Sequence, residues 1–501
     1  MNGLSAKSLS MKQMAHHLVF WMALFALAAT TGCFSPVKYA TDLPAENVES
    51  TYGDIQISGE IRDKWWESFD DPKLNEFVEV VLKESPSLQS AYLRLIDSEY
   101  ALKQNDSSFY PSVTLNAGVG GNGVIYTDPS AQPSYNLGLS ASYEIDIWGK
   151  VRAQQHISEL TLLAAQDAAE SAAITLVGNV VTEWFNIKYY RDRKALIERL
   201  LLLSEEYYDL VQKHYRYGQT TGTDVLEQRQ QIETLRSNIR DLDVNIRLSQ
   251  HALEILAGRK VKPEVEGSLP EDVEMGGTID VDVLLENRPD IRSARRSAQQ
   301  ADAQVVVAIA DRLPTLRLSA SLSYRSASIV DLFKTLLWDV GASLSAPLFD
   351  GFKKTRAIDR AKASYLIQRL AYAVAVMNAI SEVEKAILTL NLREELLTDA
   401  RSQLERQQEI LDVTRDYFVN GSLDYSRVLS ALRSLISASQ SELEARHNLI
   451  NAQITLYKAM GGSGWLKDTT EHNTQNARDL IKALDEDNED NHENNDKSSD
   501  H

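Results

Sequence analysis

The sequence predicts a mainly α-helical protein that carries a small amount of membrane β-structure and is built twice from one repeat. Three observations predict it. First, the two halves coincide at a fixed offset of 203 residues. Pro86 falls on Pro289, Ser90-Ala91 on Ser293-Ala294, Pro111 on Pro314, Gly138 on Gly341, Gly218 on Gly421, Val225-Leu226 on Val428-Leu429, and Gly258 on Gly461. So long and coherent a series means duplication. Second, neither Pro nor Gly interrupts Phe352–Asn420, and only Gly178 interrupts 150–217. At ~1.5 Å per residue each stretch makes a rod of about 100 Å. Third, four segments alternate apolar and polar residues with the period of a strand.

The N-terminus comes first. Lys7 and Lys12 precede an apolar run, Leu18–Ala29, which is followed by "TTG" and then Cys33. The run is too short to span ~30 Å of hydrocarbon as a helix, so 1–32 reads as an export signal. Cys33 is the only cysteine, which excludes an intrachain disulfide. A lone cysteine is ordinarily a small buried hydrophobe. Its place directly after a signal core instead marks it as a lipidation site, and the segment resembles a bacterial lipoprotein signal. Thr30 stands where such signals usually carry Leu, and Phe34 stands where Asp would favour inner-membrane retention. The formal net charge of −19 argues against nucleic acid, because phosphate binding needs clustered Lys and Arg.

The Pro- and polar-rich stretch 33–70 reads as a linker ending in a tryptophan-rich segment. The first repeat spans 71–265, a linker occupies 266–281, and the second repeat spans 282–462. Each repeat opens with a helical segment running to a proline, at about 72–108 and 282–312. Two alternating strands follow: "SVTLNAGVG" and "YNLGLSASYEIDI", then "TLRLSASLSYR" and "WDVGASLSAPLF". A long rod comes next, then a turn at Gly218 or Gly421, then a return helix to Gly258 or Gly461. Only the junction after the second strand slips, where Gly149 matches Gly351. The acidic Asn/Asp/Glu tail, 463–501, has too little apolar surface to order itself and is expected to be disordered.

Apolar residues in the rods recur at three and four, as in "LIERLLLLSEEYYDLV" (196–211), so the rods must bundle along their length. The strands are 9–13 residues long, which suits a tilted strand crossing a bilayer. A soluble sandwich with one packed face alternates in the same way. The export signal, and the long rods between the strand pairs, favour the membrane. Four strands cannot close a barrel, and an open edge in lipid leaves backbone groups unpaired. Eight strands leave a lumen full of side chains, whereas twelve begin to leave a channel. A homotrimer sharing a 12-stranded barrel is the simplest closure. The apolar face then touches outer-membrane lipid and the polar face lines a pore.

Several stretches together carry a resemblance. They are "DKWWESFDDPKLNEFV" (63–78), "YEIDIWGKVRA" (143–153), "APLFDGFKKTRA" (346–357), "YFVNG" (417–421), "LSALRSL" (429–435) and "LYKAMGGSGW" (456–465). In this order they resemble the TolC-like outer-membrane efflux channels over about residues 60–464. The tryptophan-rich segment is similar to that of the lipoprotein (NodT-type) branch, which serves tripartite pumps. The resemblance implies a trimeric β-barrel continued by a long periplasmic α-helical barrel, a passive channel for drugs or other small toxic compounds. It also implies helix-hairpin tips that meet a periplasmic adaptor (membrane fusion) protein, which is attached to an inner-membrane RND-type transporter.

The turns at Gly218 and Gly421 are therefore expected at the periplasmic ends, where they place the adaptor contact. In relatives the second tip carries an aspartate and an arginine that constrict the channel. Aligned on that pattern, the arginine is Arg433, but the aspartate position is Ser430; Asp424 or Asp224 could supply charge nearby. The residues also allow a plainer reading. Asp224 with Glu227 reads as an N-cap and capping box, Asp424 sits where a cap is needed, and Arg433 could serve an interhelical salt bridge. Tyr217, Tyr417 and Phe418 read as tip packing.

No phosphate loop, metal-spaced Cys/His cluster or nucleophile motif occurs, so no enzyme, metal site or cofactor is expected. His156, His214, His251 and His447 fall on the long helices. Two alternatives stay open: the exit duct of a type I protein secretion system, and a lipid-anchored structural tether of the envelope. The tether accounts for Cys33 and the helices but not for duplicated pairs of amphipathic strands.

Overall fold

The computed structural model describes residues 64–124, 128–259, 261–271, 287–461, Leu466 and 470–483, together with the two-residue strands β1 (Ile55–Gln56) and β4 (Thr278–Ile279), which pair antiparallel. The signal segment, Cys33, most of the inter-repeat linker and the tail beyond 483 lie outside the described residues.

In chain order, a 3-10 turn at Trp65–Phe69 leads to α1 (Pro72–Glu84) and α2 (Pro86–Asp106). Strands β2 (Ser112–Val124) and β3 (Asp128–Ile145) follow, then α3 (Lys150–Arg216) and α4 (Gly222–Leu256). The second repeat carries α5 (Pro289–Ala310), β5 (Thr315–Ser326), β6 (Leu336–Ser345), α6 (Lys353–Val419) and α7 (Tyr425–Met460). A last helix, α8, covers 470–483.

The duplication holds in detail. The rods α3 and α6 are each 67 residues long and start 203 residues apart. The equivalence at the strand–helix junction is therefore Gly149 with Phe352, not Gly149 with Gly351. Gly149 and Phe352 are the N-cap residues, and both are left-handed, with φ of 76° and 68°. The sequence slip reflects a phenylalanine tolerated in a conformation that costs an L-residue roughly 1–2 kcal/mol.

The sheet runs β2-β3-β5-β6, all antiparallel, and the β2–β3 and β5–β6 registers are the same: Ser112 opposes Ser142, and Thr315 opposes Ser345. This register aligns the faces into rows. Leu115, Leu139, Leu322 and Trp338 are successive partners on the apolar face, and Thr114, Ser140, Ser321 and Asp339 on the polar face. Leu337 departs from the pattern, opposing Ser323 on the polar side. Strand β3 is longer than the 9–13 residues expected, at 18. At Gly138 a Cβ would lie 2.7 Å from the Ser323 Cβ, so only glycine lets β3 and β5 approach. Both outer edges, β2 and β6, are unpaired among the described residues.

The main core lies midway along the rods. Trp65, Trp66, Phe69, Leu74 and Phe77 pack against Trp184 and Phe185 of α3 and Tyr457 of α7. Asp71 fixes this segment. Its Oδ1 accepts the Lys73 and Leu74 amides, capping α1.

Helix α8 corrects the expectation of a tail disordered from 463. The Asn473 amide donates to the Leu82 carbonyl at 3.0 Å, the Tyr92 and Thr470 hydroxyls lie 3.2 Å apart, and Arg478 pairs with Glu99 at 2.8 Å. Tertiary contacts with α1 and α2 therefore order a segment whose own composition does not.

Candidate functional site: the paired hairpin tips

Each long hairpin turns through one glycine. Gly218 has φ +73° and Gly421 φ +74°, and a Cβ would meet open space at both. Backbone conformation, not crowding, is what requires glycine there. Around them the backbone bonds repeat. Gly218 N–H donates to the Tyr215 carbonyl and Gln219 to His214, while Gly421 donates to Phe418 and Ser422 to Tyr417, at 2.9–3.0 Å.

After the first turn, Thr221 is the N-cap of α4 and Asp224 its third helical residue. The Asp224 amide donates to Thr221 Oγ1 at 3.3 Å, and the Thr221 amide donates to Asp224 Oδ2 at 2.9 Å. This is a reciprocal capping box. It revises the sequence reading, in which Asp224 capped and Glu227 completed the box. Asp224 is thus committed to the backbone. After the second turn, Asp424 holds the N-cap position of α7, but only its carbonyl serves, accepting the Arg427 amide at 3.1 Å; its side chain makes no capping bond.

Arg433 lies one turn beyond Ser430 on the exposed face of α7, while Val428, Leu429 and Leu432 belong to a second apolar core with Leu200, Tyr207 and Val211 of α3 and Leu235 of α4. The ionic partner of Arg433 is Glu227 of α4, with Nη2 3.6 Å from Oε2 and both side chains about half exposed. The pair links the two hairpins of one chain. Sequence reasoning anticipated a salt bridge for Arg433 but not its partner, because Glu227 lies in the other repeat and carries no local signal. The tips also meet through rings: His214 of α3 and Phe418 of α6 are 4.9 Å apart. Phe418 is buried as tip packing should be, but Tyr217 is 81% exposed and Tyr417 is also largely exposed, so these two do not pack.

The arrangement is a pair of glycine turns, the first followed by a capping box, flanked by exposed tyrosines and joined by an exposed ion pair. Among the described residues, no group of three or more His, Cys, Asp or Glu is placed to hold a metal ion.

Comparison with known proteins gives this geometry a family. Residues 78–259 and 281–462 each match the family described as outer membrane efflux protein, two copies separated by the internal offset of 203. The "Probable outer membrane lipoprotein SilC" of Salmonella typhimurium is 26% identical over 446 residues, covering 86% of this chain and 94% of its own. The pyoverdine export outer membrane protein OpmQ of Pseudomonas aeruginosa is 26% identical over 419 residues, covering 81% and 88%. The crystal structure of the Campylobacter jejuni CmeC outer membrane channel superposes with a TM-score of 0.77 at 20% identity, over 84% of this chain and 94% of that one. With its strands in the outer membrane and its long helices in the periplasm, this internally duplicated, mainly helical chain belongs to the outer membrane efflux protein family.

Proposed function

We propose that three copies of this protein form the outer-membrane duct of a tripartite efflux assembly, which conducts drugs or other small toxic compounds passively to the exterior. The observation that carries this reading is a four-stranded sheet with one apolar face, one polar face and two unpaired edges, mounted on paired rods of 67 residues. Unpaired edges are untenable in lipid, and twelve strands are enough to open a lumen. A periplasmic adaptor seats on the tips around Gly218 and Gly421 and connects them to an inner-membrane RND-type transporter. The adaptor contact is supported by large exposed side chains at the turns, Tyr217, Leu226, Tyr417 and Val419.

Arg433, with Asp424, Asp224 and Ser430 nearby, belongs to the periplasmic gate, in which the Arg433–Glu227 pair holds the two hairpins of a copy together. Cys33 carries the lipid anchor, a reading supported by the lipoprotein named among the similar proteins. The wall is mostly Ser, Asn, Thr and Gly, with the charges of Glu144, Arg317 and Asp339 among them, and is permissive, so the cargo is chosen by the transporter.

Native mass spectrometry of the detergent-extracted protein, followed by conductance in planar bilayers, tests the reading. A trimer carrying acyl mass, with ion-conducting events, supports it. A folded monomer sinks it.

A further inference from the structure

The two strand hairpins end differently on the side remote from the rods. Beyond its last pair with β5, Tyr135 with Ser326, strand β3 still pairs with β2 as far as Asp128 and Val124. The second hairpin stops short. After Ser326 the chain leaves the sheet and forms a 3-10 helix, Ile329–Lys334, before β6 begins at Leu336. Moved by 203 residues, Val330 and Phe333 become Thr127 and Ser130, so the first repeat does not share these apolar side chains.

Ile329, Val330 and Phe333 are 64%, 84% and 66% exposed, three large apolar side chains on one short turn. Its two charges, Asp331 and Lys334, pair with each other at 2.5 Å and leave the turn neutral. The ring of Phe333 meets that of Tyr324 edge-on, with centroids 5.3 Å apart. Tyr324 stands in the apolar row of the sheet, between Leu137 of β3 and Leu336 of β6. Phe333 therefore draws the turn onto the apolar side of the sheet and not across the polar side. The turn packs against β5 and β3, the two central strands, and so lies within the chain's own arc of sheet. Its height follows from strand length. The 10 residues of β6 and 12 of β5, at ~3.3 Å each and tilted ~40°, rise about 25–30 Å, close to the apolar band of a membrane barrel.

We propose that the 3-10 helix Ile329–Lys334 is a membrane-boundary anchor, seated in the acyl chains of the outer leaflet through Ile329, Val330 and Phe333. The patch is continuous with Leu336, Leu322 and Trp338 of the apolar face, which are exposed as well. The Ser328 amide donates to Ser326 Oγ at 3.1 Å and the Asp331 amide to the Ser328 carbonyl at 3.2 Å. Such local bonds let a segment outside the ladder sit at the edge of hydrocarbon. Burying three apolar side chains in lipid fixes the depth of the second hairpin, while the first continues past that boundary as strand. The inference rests on the sheet standing in the outer membrane with its apolar face to lipid, and adds what the β5–β6 connection touches.

The test uses the full-length protein in vesicles of phosphatidylethanolamine and phosphatidylglycerol, with nitroxides on Val330→Cys and Phe333→Cys read by electron paramagnetic resonance. Collision with oxygen reports acyl chains, and collision with a nickel chelate reports water. Trp338→Cys is the lipid reference. Arg325→Cys, beside Tyr324 but on the polar face, is the water reference, and the unsubstituted chain reports any label on Cys33. Both test labels are expected to favour oxygen over nickel as Trp338→Cys does, and several-fold more than Arg325→Cys. A preference like that of Arg325→Cys would put the turn in water or over the pore mouth and overturn the inference. Labels shielded from both reagents would mean a protein neighbour and overturn it too. Either result leaves the duct standing while the Trp338→Cys label reads lipid; a Trp338→Cys label in water overturns both. Should Phe333→Cys fail to assemble for want of its contact with Tyr324, the bare Val330 position carries the test alone.

Discussion

The Lys188 ammonium lies 2.8 Å from Asp71 Oδ2, with both side chains about nine-tenths out of solvent. The same carboxylate oxygen accepts the Trp184 indole N–H at 2.7 Å, while the other caps α1. One carboxylate thus ties the tryptophan-rich segment to the middle of a long rod. Asp71→Ala leaves a buried ammonium without its counter-charge and is expected to cost about 3–5 kcal/mol, read as a lowered thermal midpoint by circular dichroism. Adding Lys188→Met should recover most of that loss. If the single variant melts with the wild type, the tie is not structural.

A different outcome is expected at the Asp167 cluster. Burial pushes the Asp167 carboxyl above its usual range even with Arg296 and Arg292 beside it, so desolvation outweighs the attraction. Replacing Asp167 alone takes from Arg296 the carboxylate it faces, while Arg292 keeps Glu170, and should destabilise the chain by about 3–5 kcal/mol. Replacing Asp167, Glu170, Arg292 and Arg296 together by Leu, Ala, Gln and Leu, the residues found 203 positions away at 370, 373, 89 and 93, should restore most of that stability.

Arg433 and Glu227 form an exposed pair, and such pairs are worth about 0.2–1 kcal/mol. Arg433→Ala should therefore leave thermal stability nearly unchanged while raising single-channel conductance. The exchange of Arg433→Glu with Glu227→Arg should return conductance toward the wild-type value. Equal conductance in all three proteins would remove the pair from the gate.

His447 gives a pH dependence with a definite sign. Burial lowers its pKa from 6.5 to about 4. The unfolded imidazole therefore takes up a proton that the folded one refuses. Its contribution is fully present above pH 6.5 and is lost as pH falls toward 4, by up to about 3 kcal/mol. Asp302, which burial pushes up to about 6, acts in the opposite sense and adds stability as pH falls from 6 toward 3.8. The comparison of wild type with His447→Gln isolates the first effect. Their melting temperatures should converge as pH falls from 7 to 4, and parallel curves would show that the imidazole is not titrating there.

What the sequence disclosed was whatever is periodic. The strand rows running through Leu139 and Leu322, the rods and the two turn glycines are written in local alternation and spacing, so they were legible without a structure. Contacts between distant residues were not. Glu227 looks like part of a capping box until α7 brings Arg433 beside it, and the cap is Thr221, whose Thr-x-x-Asp spacing to Asp224 is itself a capping-box signature. Helix α8 was hidden for a related reason. Its order comes from Asn473 and Arg478 reaching across to α1 and α2, and composition records only its own polarity. Phe352 misled the alignment because backbone conformation was kept while the glycine expected for it was not.

The two bare edges of the sheet carry a genetic consequence. A first copy leaves β2 and β6 without partners, and a second copy joined to it still leaves one edge of each kind, so a partial ring gains nothing in lipid that a single chain lacks. Closure comes only with the last arrival. A cell making sound and damaged subunits together would therefore keep intact ducts only in proportion to the cube of the sound fraction. Alleles that spoil β6 while sparing β2 should behave as dominant, poisoning rings that their healthy neighbours have begun.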